Sequence, residues 1–164
     1  MNIEFGCGEA PTKVGYKTCD IRDVRGVDFV CNAWDIKKHV NEHTVDNIFS
    51  RHFFEHLTFP QGELVLHAWL SILKPGARCE MMLPNMTYHI NQWINRNSEE
   101  TFNHAKAGFW GWQREAEEGK VWDIHKSGYD RLSLTELVES VGFINIKSIR
   151  SNKHKHLHLE FYKS

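Results

Sequence analysis

The sequence predicts an α/β protein in which a mostly parallel sheet carries helices on its faces. Short apolar runs typical of strands alternate with segments of helical periodicity. One apolar run ends in Gly6 and Gly8, and the next ends in the carboxylate of Asp20. Glycine permits a sharp turn and a close approach of the backbone to a ligand. The pattern therefore predicts a ligand site at the carboxyl ends of the first strands.

The apolar runs and the helical periodicity give the order of the predicted elements. The predicted strands cover residues 3–5, 16–21, 27–31, 45–50, 77–83, 143–149 and 157–162. The predicted helices cover residues 63–73, 87–95, 99–107 and 133–141. Lys74-Pro75-Gly76 is expected to end the first helix, and Gly142 the last, which Ser133 and Glu136 would begin as a capping box. The last two strands are expected to pair antiparallel.

The first connection is too short for a full crossover helix. Residues 9–18 separate Gly8 from the end of the second strand, whereas a parallel crossover normally needs a dozen residues or more. We therefore expect a loop or a single helical turn there. Pro11 also stands where a dinucleotide fingerprint has its third glycine. Because a pyrophosphate would lack its usual helix terminus, the pattern favours a nucleoside ligand without phosphates over NAD.

Composition indicates one ordinary globular domain, residues 1–164. Hydrophobic residues make up 41% of the chain and charged residues 25%, with a net charge of -1. That balance argues against a surface that binds nucleic acid or a membrane.

The four cysteines stand singly in apolar stretches, as in a reduced cytoplasmic protein. The apolar run that begins at Ile3 leaves no room for a signal peptide. Residues 85–126 have a looser, aromatic-rich pattern and are expected to form an insertion that covers substrate.

The chain resembles a small class I S-adenosylmethionine-dependent methyltransferase of the type 11-like group with a short first crossover. The matching pieces occur in family order and are Glu4-Phe5-Gly6-Cys7-Gly8, Gly15-Tyr16 before Asp20, Val45-Asp46-Asn47-Ile48-Phe49, Phe54-Glu55-His56-Leu57, Leu73-Lys74-Pro75-Gly76-Ala77, Leu83-Pro84-Asn85 and Val141-Gly142-Phe143. The resemblance implies a Rossmann-like three-layer sandwich with a seven-stranded sheet whose last strand is antiparallel. It also implies S-adenosylmethionine as the cofactor. In this chain Ala77 stands where the family often has a second glycine.

The resemblance also implies roles for individual residues. Asp20 would accept hydrogen bonds from the ribose hydroxyls, and the turn after the first strand would pass the methionine moiety. The implied cofactor-binding residues are Glu4, Phe5, Gly6, Cys7, Gly8, Asp20, Ile21, Asn32, Ala33, Trp34, Ser50 and Arg51. The candidate bases for an acceptor hydroxyl are His52 and His125, because histidine titrates near neutral pH. The candidate substrate-binding residues are His56, Asn85, Tyr88, Trp110 and Trp112, and Trp122 could add to an apolar wall.

Two other functions stay open at this point. The fold could serve as a non-catalytic subunit that binds cofactor or a partner. His52-Phe53-Phe54-Glu55-His56 also spells an inverted zinc-protease signature, H-x-x-E-H, in which both histidines would share a helix face. No third ligand is obvious in the sequence, and under the methyltransferase hypothesis we expect no metal.

The partners follow from the same hypothesis. We expect a small-molecule or glycan-precursor acceptor, because no basic surface with interleaved aromatic residues is evident, and neither a nucleic acid nor a membrane partner. The family usually has a helix before its first strand, which this sequence leaves no residues to form. We therefore expect a cofactor site that is open or closed by a partner subunit, as in a homodimer.

Overall fold

Seven strands hydrogen-bond into one sheet in the computed structural model, which describes residues 1–114 and 116–164. They are β1 (Asn2–Phe5), β2 (Lys17–Asp20), β3 (Phe29–Val30), β4 (Val45–Arg51), β5 (Leu73–Pro84), β6 (Phe143–Ser148) and β7 (His156–Lys163). Their order across the sheet is β3-β2-β1-β4-β5-β7-β6. The first five run parallel, and β7 is antiparallel to both β5 and β6. The predicted sheet is confirmed.

The α-helices are α1 (Phe59–Ile72), α2 (Met86–Asn95), α3 (Glu99–Trp110) and α4 (Arg131–Val141). Short 3-10 helices cover Ala33–Lys38, Phe54–His56 and Ala116–Glu118. The helix α1 begins four residues earlier than its periodicity predicts. Thr58 caps it by accepting a hydrogen bond from the Gln61 backbone N–H, and the Gln61 side chain binds back to the Thr58 N–H.

The capping box predicted for α4 is wrong in its residues. Asp130, not Ser133, is the N-cap, and its Oδ1 accepts a hydrogen bond from the Ser133 backbone N–H at 2.8 Å. The Ser133 hydroxyl accepts one from the Asp130 N–H in return, at 3.1 Å. A carboxylate suits this position because the helix amino terminus carries partial positive charge. Gly142 ends α4 in the left-handed region, as predicted.

The predicted turn at Lys74-Pro75-Gly76 is also corrected. The helix α1 ends at Ile72, and β5 begins directly at Leu73, which pairs with Val45 of β4. The register of this pairing then shifts between Val45 and Asn47. Pro75 and Gly76 therefore lie in an irregularity inside the strand and not in a separate turn.

The first connection is a loop, as its length predicts, and a buried carboxylate holds it in place. Residues 6–16, all of them described, contain no helix. Glu4 is 2% exposed, and its side chain accepts hydrogen bonds from the backbone N–H groups of Thr12 at 3.0 Å and Lys13 at 2.8 Å. These charge-assisted hydrogen bonds to Glu4 hold the connection between β1 and β2 in place without a crossover helix.

Trp69 on α1 connects the helix layer to the sheet edge where several strands end. Its ring centroid lies 5.0 Å from that of Phe5 and 6.4 Å from that of Phe54. The helices α2 and α3 lie outside this core and pack on each other, with Trp93 4.6 Å from Phe102. None of the described helices is long and apolar enough to cross a membrane.

Acid should weaken the fold through His89. This α2 side chain is 3% exposed and faces Gly108 of α3, and burial lowers its pKa from 6.5 to about 4. Between those values the unfolded chain binds a proton that the folded chain does not, so the free energy of unfolding falls as pH drops. Because of this one site, we expect the free energy of unfolding to fall by about 3 kcal/mol on acidification to about pH 4.

Urea unfolding at a series of pH values measures this loss. The variant His89→Gln should show a shallower fall in stability over the same pH range than the native chain. His67 lies on the exposed face of α1, so His67→Gln is the matched control and should leave the slope unchanged. An equal slope in His89→Gln and the native chain would contradict the assignment.

Candidate functional site

A cavity of about 510 Å³ opens at the carboxyl ends of the parallel strands. Each of the first four strands, or the loop that follows it, contributes to its wall. The lining residues are Gly6, Cys19, Asp20, Ile21, Arg22, Cys31, Asn32, Ala33, Trp34, His52, Phe53, His56, Leu57, Gln61, Val121, Trp122, Asp123 and Lys126. Ligands of open α/β sheets bind at this edge, where neighbouring strands lead to opposite faces.

Asp20 is the buried carboxylate of this cavity. Its side chain accepts hydrogen bonds from the backbone N–H of Gly8 at 2.8 Å and from the Arg22 backbone N–H at 2.9 Å. The Arg22 Nε donates a third, at 3.2 Å. A carboxylate has about four acceptor positions, so Asp20 retains one for a ligand hydroxyl.

The backbone favours glycine at positions 6 and 8, and at position 6 the side chain of Phe53 also leaves no room for a Cβ. Both have positive φ, at 69° and 53°. A Cβ on Gly6 would lie 2.4 Å from the Cβ of Phe53, and a Cβ on Gly8 would lie 2.2 Å from Nη2 of Arg22. Sequence reasoning expected a ligand against these glycines. Phe53 lies beside Gly6 and Arg22 lies beside Gly8, and because Gly6 lines the cavity a ligand contact at Gly6 stays a prediction.

The other predicted cofactor residues divide into two groups. Ile21, Asn32, Ala33 and Trp34 line the cavity together with Gly6 and Asp20. The remaining ones are not among its lining residues: Glu4, Phe5, Cys7, Gly8, Ser50 and Arg51. Phe5 belongs to the core, and Ser50 is 0% exposed with a hydroxyl that has no hydrogen-bond partner among the described residues.

A second cavity of about 320 Å³ adjoins the first and shares His52, His56 and Asp123 with it. Six histidines line it, drawn from the turn after β4, the 3-10 helix Phe54–His56, α2, α3, the loop after α3, and β7. They are His52, His56, His89, His104, His125 and His156. Glu55, Trp112 and Lys155 also contribute. The sequence analysis singled out His52, His56 and His125 of this cluster, whereas His89, His104 and His156 were not among its candidate site residues.

His52 is oriented by a buried carboxylate. Its Nδ1 lies 3.2 Å from Oε1 of Glu55, which is 1% exposed. His52 itself has a φ of 50°, in the left-handed region, and its ring meets that of His156 edge-on at 4.6 Å. A carboxylate on one ring nitrogen leaves the other available as a proton acceptor.

His56 and His125 are each held by a backbone carbonyl. The His56 Nδ1 lies 3.1 Å from the Ile124 oxygen, and the His125 Nδ1 lies 2.9 Å from the Gly108 oxygen. Burial lowers the pKa of His125, which favours its neutral form. Because a carbonyl only accepts, each Nδ1 carries a proton, and in the neutral form of either ring Nε2 has a free lone pair.

The helix suggested by H-x-x-E-H does not form. The 3-10 helix there begins at Phe54, so His52 precedes it and cannot share a helix face with His56. The positive φ of His52 turns the chain between β4 and this helix. Both histidines nevertheless line the same two cavities.

The predicted substrate residues are also divided. His56 and Trp112 line the second cavity, but Asn85, Tyr88 and Trp110 line neither cavity. Asn85 is 0% exposed, and its amide donates to the backbone oxygens of Asn152 and His154, each at 2.8 Å. Trp122, by contrast, lines the first cavity. Glu115 of the predicted insertion lies outside the described residues.

Three solved structures have the same fold as this chain. A SAM-dependent methyltransferase from Archaeoglobus fulgidus is 15% identical, with a TM-score of 0.64 over 99% of this chain and 85% of that one. A possible histamine N-methyltransferase from Thermotoga maritima is 14% identical, with a TM-score of 0.66 over 99% and 82%. The 1,6-didemethyltoxoflavin N1-methyltransferase of Burkholderia thailandensis, solved with S-adenosylhomocysteine, is 12% identical, with a TM-score of 0.60 over 99% and 70%.

Sequence comparison assigns the family. No curated protein sequence matches the chain. The family model described as a methyltransferase domain matches residues 2–148, which is most of the chain. Together with the sheet order, this match shows that the protein belongs to the methyltransferase-domain family, with the class I S-adenosylmethionine-dependent methyltransferase fold.

Proposed function

We propose that this protein transfers a methyl group from S-adenosylmethionine to a small-molecule or glycan-precursor acceptor. One observation carries the proposal: the cavity that contains Asp20 shares His52, His56 and Asp123 with the histidine-lined cavity. A donor in the first cavity and an acceptor in the second would therefore meet at these three residues.

The residues of the first cavity fit S-adenosylmethionine. Its volume of about 510 Å³ is in the range for a ligand of this size. Asp20 has acceptor capacity for a ribose hydroxyl, and Trp34 and Trp122 offer apolar surface near the 3-10 helix at Ala33–Lys38. The loop connection after β1 supplies no helix amino terminus for a pyrophosphate, which suits a ligand without phosphates.

Methyl transfer from a sulfonium is an in-line displacement with a neutral leaving group. The protein's main contribution is to align the acceptor with the methyl carbon and to keep water out. An acceptor hydroxyl must also lose its proton, and His52 would take it. Its Nδ1 is held by Glu55, and its ring lies at the junction of the two cavities.

We propose that residues 85–126 cover the acceptor. Val121 and Trp122 line the first cavity, whereas Trp112 and the α2–α3 residues His89, His104 and Gly108 line the second. The Glu55 backbone carbonyl accepts hydrogen bonds from Lys126 at 2.8 Å and Ser127 at 3.2 Å, which ties the end of this segment to the β4 edge.

Removing the Asp20 carboxylate should weaken cofactor binding. Asp20→Asn keeps the size of the side chain but loses the charge-assisted acceptor, so we expect the Kd for S-adenosylhomocysteine to rise by roughly 10-fold or more. Calorimetric titration of the purified protein measures this change. Asp23 is exposed in the same loop, so Asp23→Asn is the matched control and should bind like the native chain. Unchanged affinity in Asp20→Asn would place the cofactor elsewhere.

Removing His52 should slow methyl transfer more than it weakens cofactor binding. With methyl-labelled donor and an acceptor found by screening small hydroxyl, thiol and amine compounds, we expect His52→Ala to lower kcat for a hydroxyl acceptor by ~10²–10⁴-fold. The affinity for S-adenosylhomocysteine should change little. His67→Ala, on the exposed face of α1, is the control. A native kcat in His52→Ala would exclude His52 as the base.

A further inference from the structure

We propose that Glu55, His56 and His125 form a binding site for a divalent transition-metal ion of the zinc type, open to the acceptor cavity. One ligand atom from each of the three side chains lies within 4.8 Å of the others. Among the described residues, they are the one group of this kind. Two imidazoles and a carboxylate are a donor set typical of catalytic zinc, in which a fourth position is left for water or substrate.

The buried carboxylate is the first observation that points to a cation. Glu55 is 1% exposed, and its Oε1 lies against His52, but its Oε2 has no hydrogen-bond partner among the described residues. An unpaired oxygen of a buried carboxylate carries a desolvation cost when the group is ionised. A metal ion at Oε2 would remove that cost.

The orientation of the two histidines is the second observation. Each donates its Nδ1 proton to a backbone carbonyl, that of Ile124 for His56 and that of Gly108 for His125. Metal-binding histidines usually have such an acceptor on the nitrogen that does not bind the metal, because it selects the tautomer and holds the ring. The ring centroids lie 5.1 Å apart at 74°, so the rings are already close together.

Backbone hydrogen bonds hold the three ligand residues next to one another. Glu55 and His56 are adjacent in the 3-10 helix, and His125 is held beside them by two contacts. Its backbone N–H donates to the Trp110 oxygen at 3.2 Å, and the following residue, Lys126, donates to the Glu55 oxygen at 2.8 Å. The site therefore exists in the folded chain before any ion arrives.

The position of the site indicates the class of acceptor, an inference that rests on the proposed function. All three ligands line the second cavity, beside the shared residues. An acceptor hydroxyl or thiol on the metal would have a lowered pKa. In the transfer its proton passes to His52, an oxygen or sulfur lone pair bonds to the methyl carbon, and the pair of the broken C–S bond stays on the donor sulfur. The substrate would be a metal-coordinating hydroxyl or thiol compound.

Titration with Zn²⁺ after chelator treatment and dialysis tests the site. We expect saturable 1:1 binding of Zn²⁺ by calorimetry and, with Co²⁺ in its place, a visible absorption spectrum of tetrahedral character. Loss of an outer partner of a metal ligand already costs ~10–100-fold in affinity, so His56→Ala, His125→Ala and Glu55→Gln should each weaken Zn²⁺ binding by at least ~100-fold. The Co²⁺ spectrum should also be lost in each variant.

His104 provides the matched control. It lines the same cavity but is not a member of the three-residue group, and its Nδ1 lies 2.9 Å from Oε1 of Gln92. His104→Ala should therefore bind Zn²⁺ like the native chain. Thermal melting without metal checks that each variant folds, and the near-isosteric Glu55→Gln keeps the test valid if an alanine variant does not.

The outcomes separate this inference from the proposed function. Binding of S-adenosylhomocysteine without 1:1 Zn²⁺ binding would overturn the metal site and leave the methyltransferase proposal in place. Zn²⁺ binding that is lost in the three variants supports the site even if S-adenosylhomocysteine fails to bind, in which case the proposed function fails. Zn²⁺ binding that survives in folded His56→Ala, His125→Ala and Glu55→Gln would place the ion elsewhere and overturn the inference.

Discussion

The hydrogen bonds of the buried Glu55 hold residues that line both cavities. Its side chain holds His52 at the end of β4, and its backbone carbonyl receives the N–H groups of Lys126 and Ser127. One residue thus connects the sheet edge to the segment that covers it. A buried carboxylate holds such a position only when hydrogen bonds or a cation compensate its desolvation. Its Oε2 has no hydrogen-bond partner among the residues that the structure describes.

Burial lowers the pKa of four histidines in the second cavity, His89, His104, His125 and His156. Burial lowers the pKa of His89 to about 4, and burial together with the nearby His52 lowers that of His156 to about 3. At neutral pH these four side chains are therefore neutral imidazoles, which act as hydrogen-bond acceptors or metal ligands and do not repel one another. These four neutral rings add no positive charge next to a cationic donor, and the lysine of this wall is Lys155.

The parallel strands of the sheet position the residues of the candidate site. Parallel strands place their carboxyl ends side by side, so Gly6, Asp20 and His52 meet although they lie far apart in the sequence. Trp69 packs against Phe5 and Phe54 beneath this edge and holds α1 to it. Substitutions in this core would therefore act on the site as well as on stability.

The sequence by itself determined the fold class and most of the elements. Alternating apolar runs and helical periodicity are local signals, and the short connection from Gly8 to Asp20 excluded a crossover helix by length alone. The helix start at Asp130 was missed because Asp130 and Ser133 are both good caps, and only the backbone geometry distinguishes them. The place of Asp20 in the cavity also followed from its position at a strand end.

Only the tertiary structure decided what surrounds the glycines and which histidines meet. Phe53 fills the space beside Gly6, and no periodicity encodes that contact. His56 and His125 come together across a separation of more than sixty residues, through hydrogen bonds to the carbonyls of Ile124 and Gly108. Such clusters depend on loop packing between distant segments. Local sequence patterns carry no information on this packing of loops, because the free energy of each contact depends on burial and on partners that only the folded chain provides.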